Sequence, residues 1–222
     1  MTSRSHHSGQ PGRGHVAGAD AEFRHAVAAI ESGITAQREL RPQLSVEPED
    51  PPRRLAPLAY AAAATVYPAD PARLAGTDEA IGWGRFVLLF DAAGQPGWDG
   101  KYRIIGYVQA ELEPEMAADP LVSEVGWSWL TEALDDHTTG YRGISGTVTT
   151  VVTQGFGGKQ GEPTSTGFEL RASWSPILSG ESSAIFDGHV AAWSEVVCKA
   201  AGLPPATPRV AALRPPGRRP RQ

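Results

Sequence analysis

The chain reads as an α+β domain: a mostly antiparallel sheet with helices packed on one face, in two layers. Three observations predict this. Lys101 to Leu112 alternates, with Tyr102, Ile104, Gly106, Val108, Ala110 and Leu112 on one side and Lys101, Arg103, Ile105, Tyr107, Gln109 and Glu111 on the other. Ile144 to Thr153 is rich in Thr and Val, and Phe168, Leu170, Ala172 and Trp174 alternate with Glu169, Arg171 and Ser173. A stretch of helical period follows each hairpin. Hairpins with one apolar face must bury it, and amphipathic helices supply the cover.

Taken in order, the first helix starts near Asp20, an N-capping residue type. Phe23, Val27, Ile30 and Ile34 recur on one face, and Gly33 with Arg41-Pro42 ends it. Gln43 to Val46 suggests a short strand, and Pro48, Pro51 and Pro52 mark a linker. Pro57 to Tyr67 is Ala-rich between prolines and reads as a helix. Asp70 to Gly82 reads as loop. Arg85 to Phe90 is an apolar run of strand length, joined to Lys101–Leu112 by a Gly- and Pro-bearing turn.

Pro120 opens the next helix. Val122, Val125, Trp129, Leu130 and Ala133 share its apolar face, and Trp127 sits at the margin. The second hairpin closes through a Gly-rich connection, residues 155–161. The last helix runs from about Ser183 to Ala201 and stops at Gly202 and Pro204. Its apolar face is Ile185, Phe186, Val190, Trp193, Val196 and Val197, with Cys198 away from that stripe. Both ββα units carry a Trp in the helix at similar distance from the second strand. That spacing suits an internal pseudo-repeat, and it also arises when two amphipathic helices form independently.

Length and composition fit one domain over residues 20–202, between a disordered tail at 1–19 and a Pro/Arg-rich disordered tail at 203–222. The chain has 222 residues, six Trp and 41% hydrophobic residues, enough for a full core. No apolar run has the length of a membrane span, and residues 1–18 lack the apolar segment of a secretory signal. Cys198 is the single cysteine, so no internal disulfide forms and the cytoplasm is the expected compartment. Residues 20–202 hold 13 bases and 25 acids, which disfavours nucleic-acid binding by the folded surface. The last twenty residues hold five Arg and no acid, so RNA would be met there if anywhere, although a solvated end explains the same composition.

Motifs for catalysis fail on spacing. The six histidines show no His-x-x-x-His pattern and one cysteine makes no Cys-x-x-Cys, so no local zinc motif exists. Ser145 and Ser128 lie outside a Gly-x-Ser-x-Gly frame. The loop at Gly157, Gly158 and Lys159 lacks the Gly-Lys-Ser/Thr ending and joins two strands, so it presents no helix N-terminus to a phosphate. Glu111, Glu113 and Glu115 could split their pKa values as an acid–base pair, but Pro114 and Pro120 favour a solvated corner. His189, inside an apolar stripe, reads first as a neutral core histidine with one hydrogen bond. No cofactor is indicated.

One resemblance comes from longer blocks. WDGKYRIIGYVQAELEPEMAADPLVSEVGWSWLTEAL, GTVTTVVTQGFGG, ELRASWSP and AGLPP occur in this order. Together they resemble an uncharacterised actinobacterial protein family that carries a domain of unknown function, over about residues 21–205. The resemblance implies a bacterial, cytoplasmic protein, agrees with 17 Arg against three Lys, and carries over no functional residue.

The functional expectation therefore rests on surface chemistry. It is a non-enzymatic binding or protein-interaction module with a protein partner and no membrane. The candidate face is Arg103, Tyr107, Glu111, Glu169 and Arg171 on the strands, with Trp127 beside them on its helix. The alternative is a small-molecule-binding protein or enzyme that uses the polar sheet face, the acidic corner and the Lys159 loop as a lid. A plain solvated face with cross-strand ion pairs would carry the same residues.

Overall fold

In the computed structural model, which describes residues 13–68, 80–178 and 185–206, the elements follow one another as helix α1 (Arg13–Leu40), strands β1 (Leu44–Glu49), β2 (Leu58–Val66), β3 (Gly82–Phe90) and β4 (Tyr102–Glu111), a single helical turn α2 (Pro114–Ala117), helix α3 (Val122–His137), strands β5 (Tyr141–Thr153) and β6 (Ser165–Pro176), and helix α4 (Ile185–Ala200). All strand pairs are antiparallel, in the order β1-β2-β3-β4-β6-β5. The α+β class is as the alternation predicts. Residues 1–12 and 207–222 of the tails expected at 1–19 and 203–222, most of the loop after Asp70, and the Ser183 start of the last helix lie outside the described residues.

The alternating face of β4 is the core face. Tyr102, Ile104, Val108 and Ala110 are buried, and they meet Phe86, Leu88 and Phe90 of β3 and Phe168, Leu170, Ala172 and Trp174 of β6. Fully burying a Phe or Leu stabilises the fold by roughly 1.5–3 kcal/mol, so this layer is the main favourable term. Helix α4 lies centrally over the sheet and packs against α1 on one side and α3 on the other. Gly84 makes its close approach possible. A Cβ there would come within 2.6 Å of Val197 and 2.8 Å of Trp193.

Four readings need correction. Residues 58–66 form a strand rather than a helix. Alanine's helix preference is worth under ~1 kcal/mol per residue, and β2 is paired on both edges, by β1 and β3, with Ala62, Ala64 and Val66 sealed beneath the helices. Helix α1 begins at Arg13, ahead of Asp20, and continues through Gly33, which lies against Asp187 of α4. Val125 is exposed, and Gly126 takes the buried position against Phe168. Cys198 is fully buried, because a helix flanked by helices on both sides and a sheet below has little solvent-facing surface.

Candidate functional site

Among the described residues the sheet's second face carries no helix. Antiparallel register places its side chains in cross-strand rows. One row is Glu47, Ala63, Arg85, Tyr107, Arg171 and Thr147; the next is Ser45, Thr65, Trp83, Gln109, Glu169 and Thr149. Five of the six sequence candidates, Arg103, Tyr107, Glu111, Glu169 and Arg171, stand on this face. Strand parity alone puts them there.

Tyr107 and Arg171 form its centre. The guanidinium lies 5.4 Å from the centre of the Tyr107 ring, a cation–π contact. Arg171 Nη2 donates to Glu169 Oε2 at 2.8 Å, and the Tyr107 hydroxyl donates to Gln109 Oε1 at 2.9 Å. Desolvation raises the phenol pKa; Glu169 pushes it further up and Arg171 opposes. Trp83 stands in the adjoining row with 36% of its surface exposed, and Arg85 pairs with Glu49 on the β1 edge. Trp83 and Arg85 escape the sequence reading because β3 looks like a plain apolar run. Its alternation begins at Gly82, ahead of Arg85, and that longer window would have shown the two residues sharing a face.

Arg103 has a different role from its neighbours. It is buried, its Nη2 donates to Ser173 Oγ at 2.7 Å and to the Ser173 carbonyl at 3.2 Å, and its Nη1 donates to Ser175 Oγ at 3.3 Å. Ser175 Oγ in turn donates to the Trp98 carbonyl. The guanidinium thus ties the 91–100 turn to β6. Burial lowers its pKa, against the nearby charge of Asp99.

Two shallow depressions flank the centre. One, about 230 Å³, lies at the Glu111 end between Trp83, Gln109, Val151, Thr153 and Glu169. The other, about 520 Å³, is floored by Leu89 and Ile105, with Leu55, Trp98, Arg103 and Arg171 around it.

Trp127 does not join the group. Helix α3 carries it on the opposite side of the sheet, half-buried over β5, where a Cβ on Gly146 would lie 2.8 Å from its ring. His189 is also on the helix side, fully buried on α4. Lys159 sits in a single 3-10 turn, Gly157–Lys159, and pairs with Glu162 at 3.5 Å. Among the described residues no three His, Cys, Asp or Glu side chains are grouped as a metal ion would need, and no helix is long and apolar enough to cross a membrane.

A family model described as protein of unknown function (DUF3000) matches residues 19–211. No curated protein matches the chain, and no solved structure matches it.

Proposed function

Since the chain belongs to the DUF3000 family, whose description assigns no activity, its role has to be sought in its own surface, and we propose that it is a binding module that recognises a protein partner through the helix-free face of the sheet. The observation that carries this reading is the stacked Tyr107–Arg171 pair with Trp83 in the neighbouring row. Tyr, Trp and Arg are the residues that most often anchor protein interfaces, because each buries much area and still offers a donor. Rigid strands hold them, so little side-chain entropy is lost on binding. A cytoplasmic setting is part of the reading, supported by the single cysteine.

A second reading has one observation in its favour. The depression of about 520 Å³ joins an apolar floor, Leu89 and Ile105, to the guanidinium groups of Arg103 and Arg171. That lining suits a small apolar anion.

Native mass spectrometry of the protein purified gently from its own host separates the two. A co-purifying protein that is lost from both Tyr107→Ala and Arg171→Ala, with Tm nearly unchanged, is the expected result. A metabolite-sized mass lost from Arg171→Ala would favour the ligand reading. A partner retained by both variants would exclude this face as the interface.

A further inference from the structure

The two edges of the sheet are unlike. Edge strand β1 is six residues long, carries Pro48, and has Glu47 and Glu49 on either side of it. Proline, charge and shortness are the devices that stop an edge from recruiting another strand. Beyond Arg142 and a β-bulge between Arg142 and Ser145, both at its start, edge strand β5 carries no such device. It is 13 residues long, and from Gly143 to Gly158 the chain contains no charged residue and no proline. It pairs only with β6, so its outer backbone groups are free among the described residues. It exposes apolar side chains on both faces: Val151 at 40% and Val152 at 65%, with Phe156 at 75% just beyond. Phe156 is itself extended, at φ −131° and ψ 162°.

We propose that β5 pairs antiparallel with β5 of a second copy of this chain, joining two six-stranded sheets edge to edge. Self-complementarity selects the second copy as occupant. About a two-fold axis at Thr150, Thr149 opposes Val151, Val148 opposes Val152 and Thr147 opposes Thr153. These central pairs are all Thr–Thr, Val–Val or Thr–Val, the β-branched combinations that stabilise neighbouring strands. At the two ends of the ladder Ile144 opposes Phe156. No charged residue falls between them, so the pairing meets no like-charge repulsion on its own ladder. A two-fold axis normal to the sheet keeps both helix layers on one side, so side-chain parity is preserved.

The size is adequate. A ladder from Ile144 to Phe156 extends ~44 Å, and a sheet edge about 10 Å thick then buries roughly 900 Å² over both copies. The exposed side chains of Val152 and Phe156 carry it to the ~1,000 Å² that specific association requires. The polar faces around Tyr107 and Arg171 remain uncovered and lie side by side on the joined sheet. The proposed pairing therefore doubles that surface and does not depend on its function.

Sedimentation velocity of the full chain, from micromolar to hundreds of micromolar, tests this. The wild type is expected at twice 23.5 kDa. Val152→Lys and, on the other face, Val151→Lys should each raise the dimer dissociation constant by about tenfold or more, with unchanged circular dichroism. Arg171→Ala should leave the dimer intact. Hydrogen exchange should show β5 amides protected in the dimer and open in the Lys variants. A wild-type monomer across the range overturns the proposal, whether β5 is then free or carries a strand of another protein. A dimer that resists both Lys variants, or whose β5 amides stay open, overturns it as well.

Discussion

The indole Nε1–H of Trp174 on β6 donates to Nδ1 of His189 on α4 at 3.2 Å, a hydrogen bond inside the core that joins the sheet to its central helix. Indole can only donate, so Nδ1 is the unprotonated nitrogen and the ring is the Nε2–H tautomer. Nε2 has no hydrogen-bond partner among the described residues. Charging this ring means adding a proton where the indole already points, at a fully buried position, and burial pulls its pKa from 6.5 down to about 4.

That depression makes stability depend on pH. Below pH 6.5 the unfolded chain takes up a proton that the folded chain refuses, so this contribution is complete above pH 6.5 and is lost as pH falls toward 4. The loss across the window is about 3 kcal/mol, since each tenfold change in proton affinity is worth roughly 1.4 kcal/mol. His189→Gln retains an acceptor for Trp174 and cannot titrate. Urea unfolding at pH 7 and at pH 4.5 should show a smaller acid loss in the variant. Identical losses in both proteins would mean that His189 is not the group responsible.

Gly84 gives a test of helix-to-sheet distance. Its missing Cβ would stand 2.6 Å from Val197 and 2.8 Å from Trp193, both on α4. Gly84→Ala should cost about 1–3 kcal/mol in denaturant unfolding, the usual range for overpacking a core. Gly161→Ala, with no atom within 4 Å of the added methyl, should change little. Equal effects at the two positions would show that α4 can yield by sliding off the sheet.

How far the sequence could be read depended on the strength of local period. The core face of β4 was legible residue by residue because its alternation is unbroken, and parity carried Arg103, Tyr107, Glu111, Glu169 and Arg171 to the other face along with it. Residues 58–66 were not legible: a run of alanines has no period, and its state is set by the strands on both sides. The burial of Cys198 follows from the helices that flank α4, a tertiary fact without a local signature. The role of Arg103 depends on a cross-strand register that brings Ser173 and Ser175 to its guanidinium. Trp127 looked like a neighbour of the polar face until the sheet itself came between them.

Cys198 should be silent to thiol reagents in the native protein. It is fully buried, and desolvation pushes its thiol up to about 11, with Arg41 opposing and Glu195 reinforcing the rise. The thiolate is the reactive form, so labelling has to wait for opening of the fold. An aromatic disulfide reagent at pH 8 should react at a rate that tracks unfolding and rises with urea. Immediate labelling in the absence of denaturant would contradict the packing of α4 between α1 and α3.

Arg103 and Arg171 share a face and should separate cleanly by stability. Arg103→Met keeps the apolar stem but removes the bonds to Ser173 and Ser175 and, through Ser175, the hold on Trp98. Hydrogen bonds from a charged group contribute about 1.5–3 kcal/mol, so the variant should lose ~2 kcal/mol, with faster hydrogen exchange in residues 91–100. Arg171→Met removes one bond to Glu169 and a contact with Tyr107 from a side chain that is 66% exposed. Solvent screens that pair, and the change should stay within ~0.5 kcal/mol. A large loss from Arg171→Met would make the Tyr107–Arg171 stack a support of the fold, and partner loss in its variants would no longer mark a binding surface.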